Sequence, residues 1–273
     1  MKIKYLGTAA YEGIPSLFCR CETCEKSRRE GGRNLRSRSQ ALVDDELLLD
    51  FPADTVWHFH RFGMDWERIR DCLITHSHCD HLYTEDIEMA REGYAQDCPR
   101  TLHYHAAADG YRRIKAVTDL KGMTGRADVV EVKPYEEFRA GEYRVLPLKA
   151  NHDPLSSPVV YRIEKDGKSF LYGHDTGWPP EKSWEKLKEA GRLNLVSLDC
   201  TGGLKKGWRD GHLCLETAVE VFARMEEEKI IDGNTVKVIN HFSHNGNAAY
   251  EDLVAAARPY GIVVSYDGLE IKF

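Results

Sequence analysis

Short apolar runs bounded by Gly, Pro and Asp recur at residues 41–43, 47–49, 72–74, 145–148, 159–163, 170–172, 195–198, 236–239 and 262–264. Their length and their content of Val, Ile, Leu and Tyr predict strands. Segments 85–94, 181–190, 215–228 and 248–257 instead repeat their apolar residues at a 3.6-residue spacing, which predicts helices. The chain is therefore mixed α/β. No Pro-rich linker, long charge block or internal repeat divides its 273 residues, so one domain over residues 1–273 is expected.

Chemistry concentrates just after the 72–74 run, where the chain reads His76-Ser77-His78-Cys79-Asp80-His81. Two His one residue apart on extended backbone point the same way and reach one ion, while Asp80 and His81 turn toward a second. Six residues cannot surround two ions, so further ligands are expected at other strand ends. His152 follows the 145–148 run, Asp175 the 170–172 run and His241 the 236–239 run. A separate cluster, Cys19-Arg20-Cys21-Glu22-Thr23-Cys24, places three thiols where they could wrap one zinc with a fourth ligand from elsewhere. His244, left over beside His241, is the candidate for that place. His212 is a spare histidine ahead of the 215–228 helix, which it would cap or flank. Asp199 reads as a strand-end cap or as a partner for a ligating imidazole.

The other candidates read as ordinary packing. His58 and His60 lie in an aromatic-rich stretch, and His103 and His105 alternate along a strand-like run. His174 is left between shaping the approach to the site and hydrogen bonding nearby. Cys72, Cys98, Cys200 and Cys214 read as small buried apolar residues, and Cys79 as a free position of the His-rich motif. The basic run 26–38, with Lys26, Arg28, Arg29, Arg33, Arg36 and Arg38, reads as a solvated loop able to meet a phosphate.

A net charge of -6 gives no general attraction for nucleic-acid phosphates, although the basic run keeps such a partner open. The first apolar run is too short for a signal peptide and no 18-residue apolar stretch follows, so a cytoplasmic protein without membrane contact is expected. Eight cysteines in that setting read as reduced thiols and metal ligands. The sequence leaves a homodimer open.

The order His-x-His-x-Asp-His, then a later His, an Asp and a final His, each at a strand end, resembles the metallo-β-lactamase fold superfamily over nearly the whole chain. The resemblance implies a four-layer αββα sandwich whose halves meet near residue 140. It implies two catalytic divalent metals, zinc or manganese, with His76, His78 and His152 on one, Asp80, His81 and His241 on the other, and Asp175 bridging. Two such ions acidify a bridging water and draw charge from a phosphoryl or carbonyl oxygen, which makes hydrolysis the implied reaction. Cys19, Cys21, Cys24 and His244, with the opening Leu6-Gly7-Thr8-Ala9-Ala10, look like the structural zinc site and start of the PhnP-type cyclic phosphodiesterases within that superfamily. That likeness implies hydrolysis of a small, cyclic phosphodiester, with His212 protonating the leaving oxygen and Asp80 as the other catalytic side chain. The alternatives are a tRNA 3'-end processing endonuclease, which shares the ligand pattern, and an accessory or binding protein resembling PqqB, which shares the early cysteines.

Overall fold

The computed structural model describes residues 1–98 and 100–273. The chain first forms β1 (Lys2–Gly7), α1 (Glu22–Glu30), β2 (Gln40–Val43), β3 (Leu47–Leu49), α2 (Thr55–Phe62), β4 (Asp71–Ile74), α3 (Thr84–Ile87), β5 (Leu102–Ala106), α4 (Ala108–Thr118) and β6 (Ala127–Glu131). It continues through β7 (Phe138–Ala140), β8 (Tyr143–Lys149), β9 (Val159–Lys165), β10 (Lys168–Gly173), α5 (Glu181–Ala190), β11 (Leu195–Asp199), α6 (Leu215–Glu227), β12 (Val236–Asn240), α7 (Tyr250–Ala257), β13 (Ile262–Val264) and β14 (Glu270–Lys272). The strands form two sheets, ordered β14-β1-β2-β3-β4-β5-β6 and β13-β12-β11-β10-β9-β8-β7. Pairing is parallel from β3 to β6 and from β10 to β13, and antiparallel elsewhere. β14 returns to the first sheet and pairs with β1, Lys2 opposite Lys272.

Continuous apolar runs mark strands covered on both faces, and the side-chain alternation sorts them into layers. Leu47 and Leu49 turn inward with Tyr5, Leu73, Tyr161 and Phe170, filling the space between the sheets. Leu48, Cys72, Ile74 and Tyr104 turn outward and pack with Phe59 of α2, Ile87 of α3 and Ile114 of α4. On the opposite outer face Leu171, Val196 and Ile239 lie with Trp184 of α5, Phe222 of α6 and Leu253 of α7. Each such buried Leu, Ile or Phe contributes roughly 1.5–3 kcal/mol. The result is an αββα sandwich. Among the described residues no helix is long and apolar enough to cross a membrane.

Three expectations change. The 85–94 helix is cut short: α3 ends at Ile87 and passes into a 3₁₀ turn, where Met89 is 46% exposed because no core meets it. The basic run is partly helical, since α1 carries Glu22 and Glu25 in its first turn and Arg28 and Arg29 in its last, matching the helix dipole. Within that run Arg36 is a buried strut rather than a phosphate reader. Its guanidinium donates to Thr8 Oγ1 and the Ser265 carbonyl, both at 2.8 Å, and lies over Phe242. Burial pushes its pKa down to about 10. Cys98 is only partly buried.

His58 is a packing group. Its Nδ1–H donates to Gln40 Oε1 at 2.6 Å, Nε2 lies 2.7 Å from Ser37 Oγ, and burial pushes its pKa down to about 3. The unfolded chain therefore takes up this proton first, and the His58 contribution to stability is lost as pH falls from about 6.5 toward 3. Between pH 7 and pH 5 the wild type is expected to lose about 2 kcal/mol more than a His58→Gln variant. Urea midpoints at the two pH values check this, and parallel losses would refute it.

Candidate active site

β3, β4, β8, β10, β11 and β12 all deliver polar residues to one edge of the sandwich, at their carboxyl ends, where α/β sheets place their ligand crevices. Three of these residues, Asp50 (φ 66°), Asp175 (φ 55°) and His241 (φ 62°), have left-handed backbone. A non-glycine residue there costs of order 1 kcal/mol or more, and the kink turns the side chain off the strand line into the edge.

The side chains converge on Asp175. Its Oδ2 lies 3.0 Å from His76 Nε2, 3.4 Å from both His81 Nε2 and His152 Nε2, and 3.9 Å from His241 Nε2. His78 Nδ1 is 3.2 Å from His152 Nε2, and His81 Nε2 is 3.1 Å from His241 Nε2. Asp80 Oδ2 is 3.6 Å from His81 and 4.0 Å from His241. The structure thus groups His76, His78, His152 and Asp175, and separately Asp80, His81, Asp175 and His241, with ligand atoms in each group within 4.8 Å of one another.

The outer nitrogen of each ring has its own partner. His81 Nδ1–H donates to Asp50 Oδ2 at 2.8 Å, and Asp50 Oδ1 accepts from the Thr75 amide and hydroxyl. His152 Nδ1–H donates to the Gly211 carbonyl at 3.1 Å, and His78 Nε2–H to Asp153 Oδ2 at 3.1 Å. His241 Nδ1 lies 2.8 Å from Thr201 Oγ1 and 3.2 Å from Asp199 Oδ2. With those protons on the outer nitrogens, the inner lone pairs face one another near 3.1–3.2 Å, which is repulsive unless cations separate them. His76 Nε2 and Asp175 Oδ1 are buried and make no well-directed hydrogen bond, although Asp175 Oδ2 and His212 Nδ1 respectively lie 3.0 Å from them. Zinc at 2.0–2.1 Å from tetrahedral nitrogen ligands would space those ligands by about 3.3 Å, so the donor set fits divalent ions.

Burial pushes His76 down to about 4 and lowers His152, keeping both in the neutral form that ligates metal. Burial also opposes charge on His81, but Asp50, Asp80 and Asp175 outweigh it and raise its pKa. Burial likewise works against the Asp175 carboxylate, yet His241, His212 and His76 hold its pKa well below the usual range.

His212, placed by sequence only as a spare, reaches this cluster. Its Nδ1 is 3.0 Å from Asp175 Oδ1 and 3.4 Å from Asp199 Oδ2. Burial alone would lower its pKa, but the two carboxylates raise it to about 10. Asp199 is both strand-end cap and imidazole partner, since Oδ1 accepts from the Thr201 and Leu213 amides. His174 does not shape the approach. It is buried behind the site, 2.7 Å from Ser197 Oγ and 3.1 Å from Asn240 Nδ2, and burial lowers its pKa.

Cys19, Cys21, Cys24 and His244 form a second cluster, with Cys19 Sγ and Cys21 Sγ each 3.5 Å from His244 Nδ1. A tetrahedral zinc with sulfur at 2.3 Å and nitrogen at 2.0–2.1 Å would set that edge at about 3.6 Å. Burial raises the Cys24 thiol to about 12, whereas hydrogen bonds from the Cys24 amide, His244 and Cys19 outweigh burial at Cys21 and bring it to about 7. The four side chains fit a closed zinc site clipping the loop after β1 to the loop after β12. The loops behind it approach as backbones: a Cβ on Gly203 would meet the Gly246 carbonyl oxygen at 2.6 Å.

Sequence reasoning missed Asp50, Asp153, Thr201 and Glu12. Asp50 follows the 47–49 run directly, so the rule that located His152 could have found it. Over the His and Asp cluster opens a cleft of about 430 Å³, walled in part by Tyr11, Glu12, Trp208 and Asn245.

Two facing sheets, helices outside and this cluster at the strand ends define a metal-dependent hydrolase of the metallo-β-lactamase fold. The sequence matches the family described as a beta-lactamase superfamily domain over residues 53–232, and the chain belongs to that family. Among solved structures, Zn(2+)-bound PqqB from Methylobacterium extorquens is similar over 100% of both chains, with a TM-score of 0.78 and 20% identity. A diphosphatase from the PhnP family is similar with a TM-score of 0.75 and 21% identity, covering 100% of this chain and 97% of that one. Human tRNase Z, short form, follows with a TM-score of 0.67 and 15% identity over 100% and 99%. At these identities the likeness is one of fold. A comparison with curated proteins gives no match.

Proposed function

We propose that the chain is a dinuclear metal-dependent phosphodiesterase acting on a small, cyclic phosphodiester. The observation that carries this reading is the placement of His212. Asp175 and Asp199 lie against its Nδ1 and favour its protonated form, while Nε2 makes no hydrogen bond among the described residues and is left to the cleft. A positioned imidazolium supplies the proton that a departing alkoxide needs. His76, His78 and His152 would hold one metal and Asp80, His81 and His241 the other, with Asp175 shared. Bound there, the ions would acidify water and offset charge on phosphoryl oxygens.

Around them Asp50 and Asp153 orient His81 and His78, and Asp199 serves His241 and His212 together. The cleft volume suits a small molecule, and among the described residues no Lys or Arg lines it, which speaks against a polyanionic RNA. Similarity to a PhnP-family diphosphatase supports phosphoryl chemistry.

The test is hydrolysis of bis(p-nitrophenyl) phosphate and 2',3'-cyclic AMP by metal-quantified protein, with and without manganese. His212→Ala is expected to lower kcat about 10²- to 10³-fold with metal content intact, and His76→Ala to lose metal together with turnover. No turnover by wild type with filled sites would sink the reading in favour of an accessory role, and salt-dependent RNA cleavage would favour a nuclease.

A further inference from the structure

We propose that Glu12 is a specificity-determining residue of this cleft. It accepts a hydrogen bond from an ammonium or hydroxyl group on the substrate arm beyond the scissile phosphoryl group, and it disfavours a second negative charge there. The inference rests on the phosphodiesterase reading and names the substrate class within it.

Glu12 stands in the cleft wall, on the loop after β1. One carboxylate oxygen is already engaged: Oε1 accepts from Ser243 Oγ and from Asn245 Nδ2 at 3.5 Å, and His244 Nε2 lies 3.5 Å away. All three groups come from the loop after β12, so that loop fixes the direction in which the carboxylate faces. Oε2 makes no hydrogen bond among the described residues, and the side chain is 24% exposed. An anchored carboxylate with one free oxygen is an acceptor already oriented for a ligand, so little ordering cost remains on binding.

Among the described residues no Lys or Arg lines the cleft wall, and His244 Nε2 meets the anchored oxygen Oε1 rather than Oε2. The arginines next to wall residues are engaged elsewhere: Arg38 with Asp54 and the Tyr11 carbonyl, and Arg209 with Glu220 and the face of Trp178. A monoanionic diester presents its one charge to the metal-ligand cluster and its arm to Glu12. A dianionic monoester or a nucleic-acid strand would carry further negative charge past the Glu12 carboxylate, whose Oε2 makes no hydrogen bond among the described residues.

Ethyl, 2-aminoethyl and 2-carboxyethyl phenyl phosphates differ in the terminal group of the arm and so in its charge, and titration calorimetry gives their Kd for the metal-loaded protein when injections outpace hydrolysis. The aminoethyl ester is expected to bind wild type about tenfold tighter than the ethyl ester and the carboxyethyl ester about tenfold more weakly. Glu12→Gln should bring the three within about twofold while keeping its zinc. The same preparations are assayed on 2',3'-cyclic AMP, whose failure to be cleaved would remove the phosphodiesterase reading without touching the Kd ratios. Equal ratios in wild type and Glu12→Gln overturn the inference. So does a variant that weakens all three esters alike and loses zinc, because Glu12 would then serve only to hold His244.

Discussion

Asp175→Asn is expected to lower kcat roughly 10⁴-fold, about 5–6 kcal/mol of barrier, and to leave less than a full pair of metals per chain. Asp175 Oδ2 lies within 3.9 Å of four imidazole nitrogens, three of them at 3.4 Å or less. It is therefore the one anion shared by both ligand groups. Asparagine keeps the shape but removes the charge that offsets two cations side by side. It also removes one of the two carboxylates that raise the His212 pKa, so that pKa should fall and the proton donor proposed above should weaken along with metal binding. Metal content by mass spectrometry, kcat on bis(p-nitrophenyl) phosphate and a circular dichroism spectrum separate these effects from misfolding. Two metals and wild-type turnover in the variant would show that the shared carboxylate is dispensable.

Cys24→Ser is expected to remove one zinc per chain and to lower the melting temperature by about 5–6 °C. The clip joins two loops far apart in sequence, with Cys19 and His244 separated by 225 residues. Closed sulfur-rich zinc sites contribute directly to folding free energy, and the zinc-free chain keeps a large core, so only part of that contribution is lost. A loss of about 3 kcal/mol corresponds to the stated shift for a chain of this size. The loop released also carries Glu12 and abuts the loop bearing His241, so turnover should fall with stability. Differential scanning calorimetry with zinc quantification checks the first effect; an unchanged melting temperature after loss of that zinc would show that the clip carries no stability.

The strands that flank the site were legible because they are covered on both faces and so appear as uninterrupted apolar runs. β1 is different. Lys2 and Lys4 alternate with the buried Ile3 and Tyr5, and a search for runs passes over alternation. β6 and β14 are largely exposed edge strands whose placement is decided by their neighbours. α1 and α4 bury few apolar side chains, and no periodic face announces them. The candidate ligands were legible because coordination allows few side-chain types and this fold gathers them at strand ends. The residues that orient them were not, because an Asp or Thr at a strand end is commonplace and its pairing with an imidazole, such as that of Asp50 with His81, appears only when the chain is folded.

The return of β14 to β1 fixes the order in which this molecule can be completed. Until residues 270–272 arrive, β1 has β2 on one side and a row of unsatisfied amides and carbonyls on the other. An open edge of that kind pairs readily with another chain. The strand nearest the N-terminus therefore stays exposed while the other sheet and the site are being made, and closing it requires the longest loop the chain contains. A chain halted or cleaved before that segment would carry its His and Asp cluster on a sheet still open to association, so aggregation during synthesis should track loss of the last strand rather than loss of the metals.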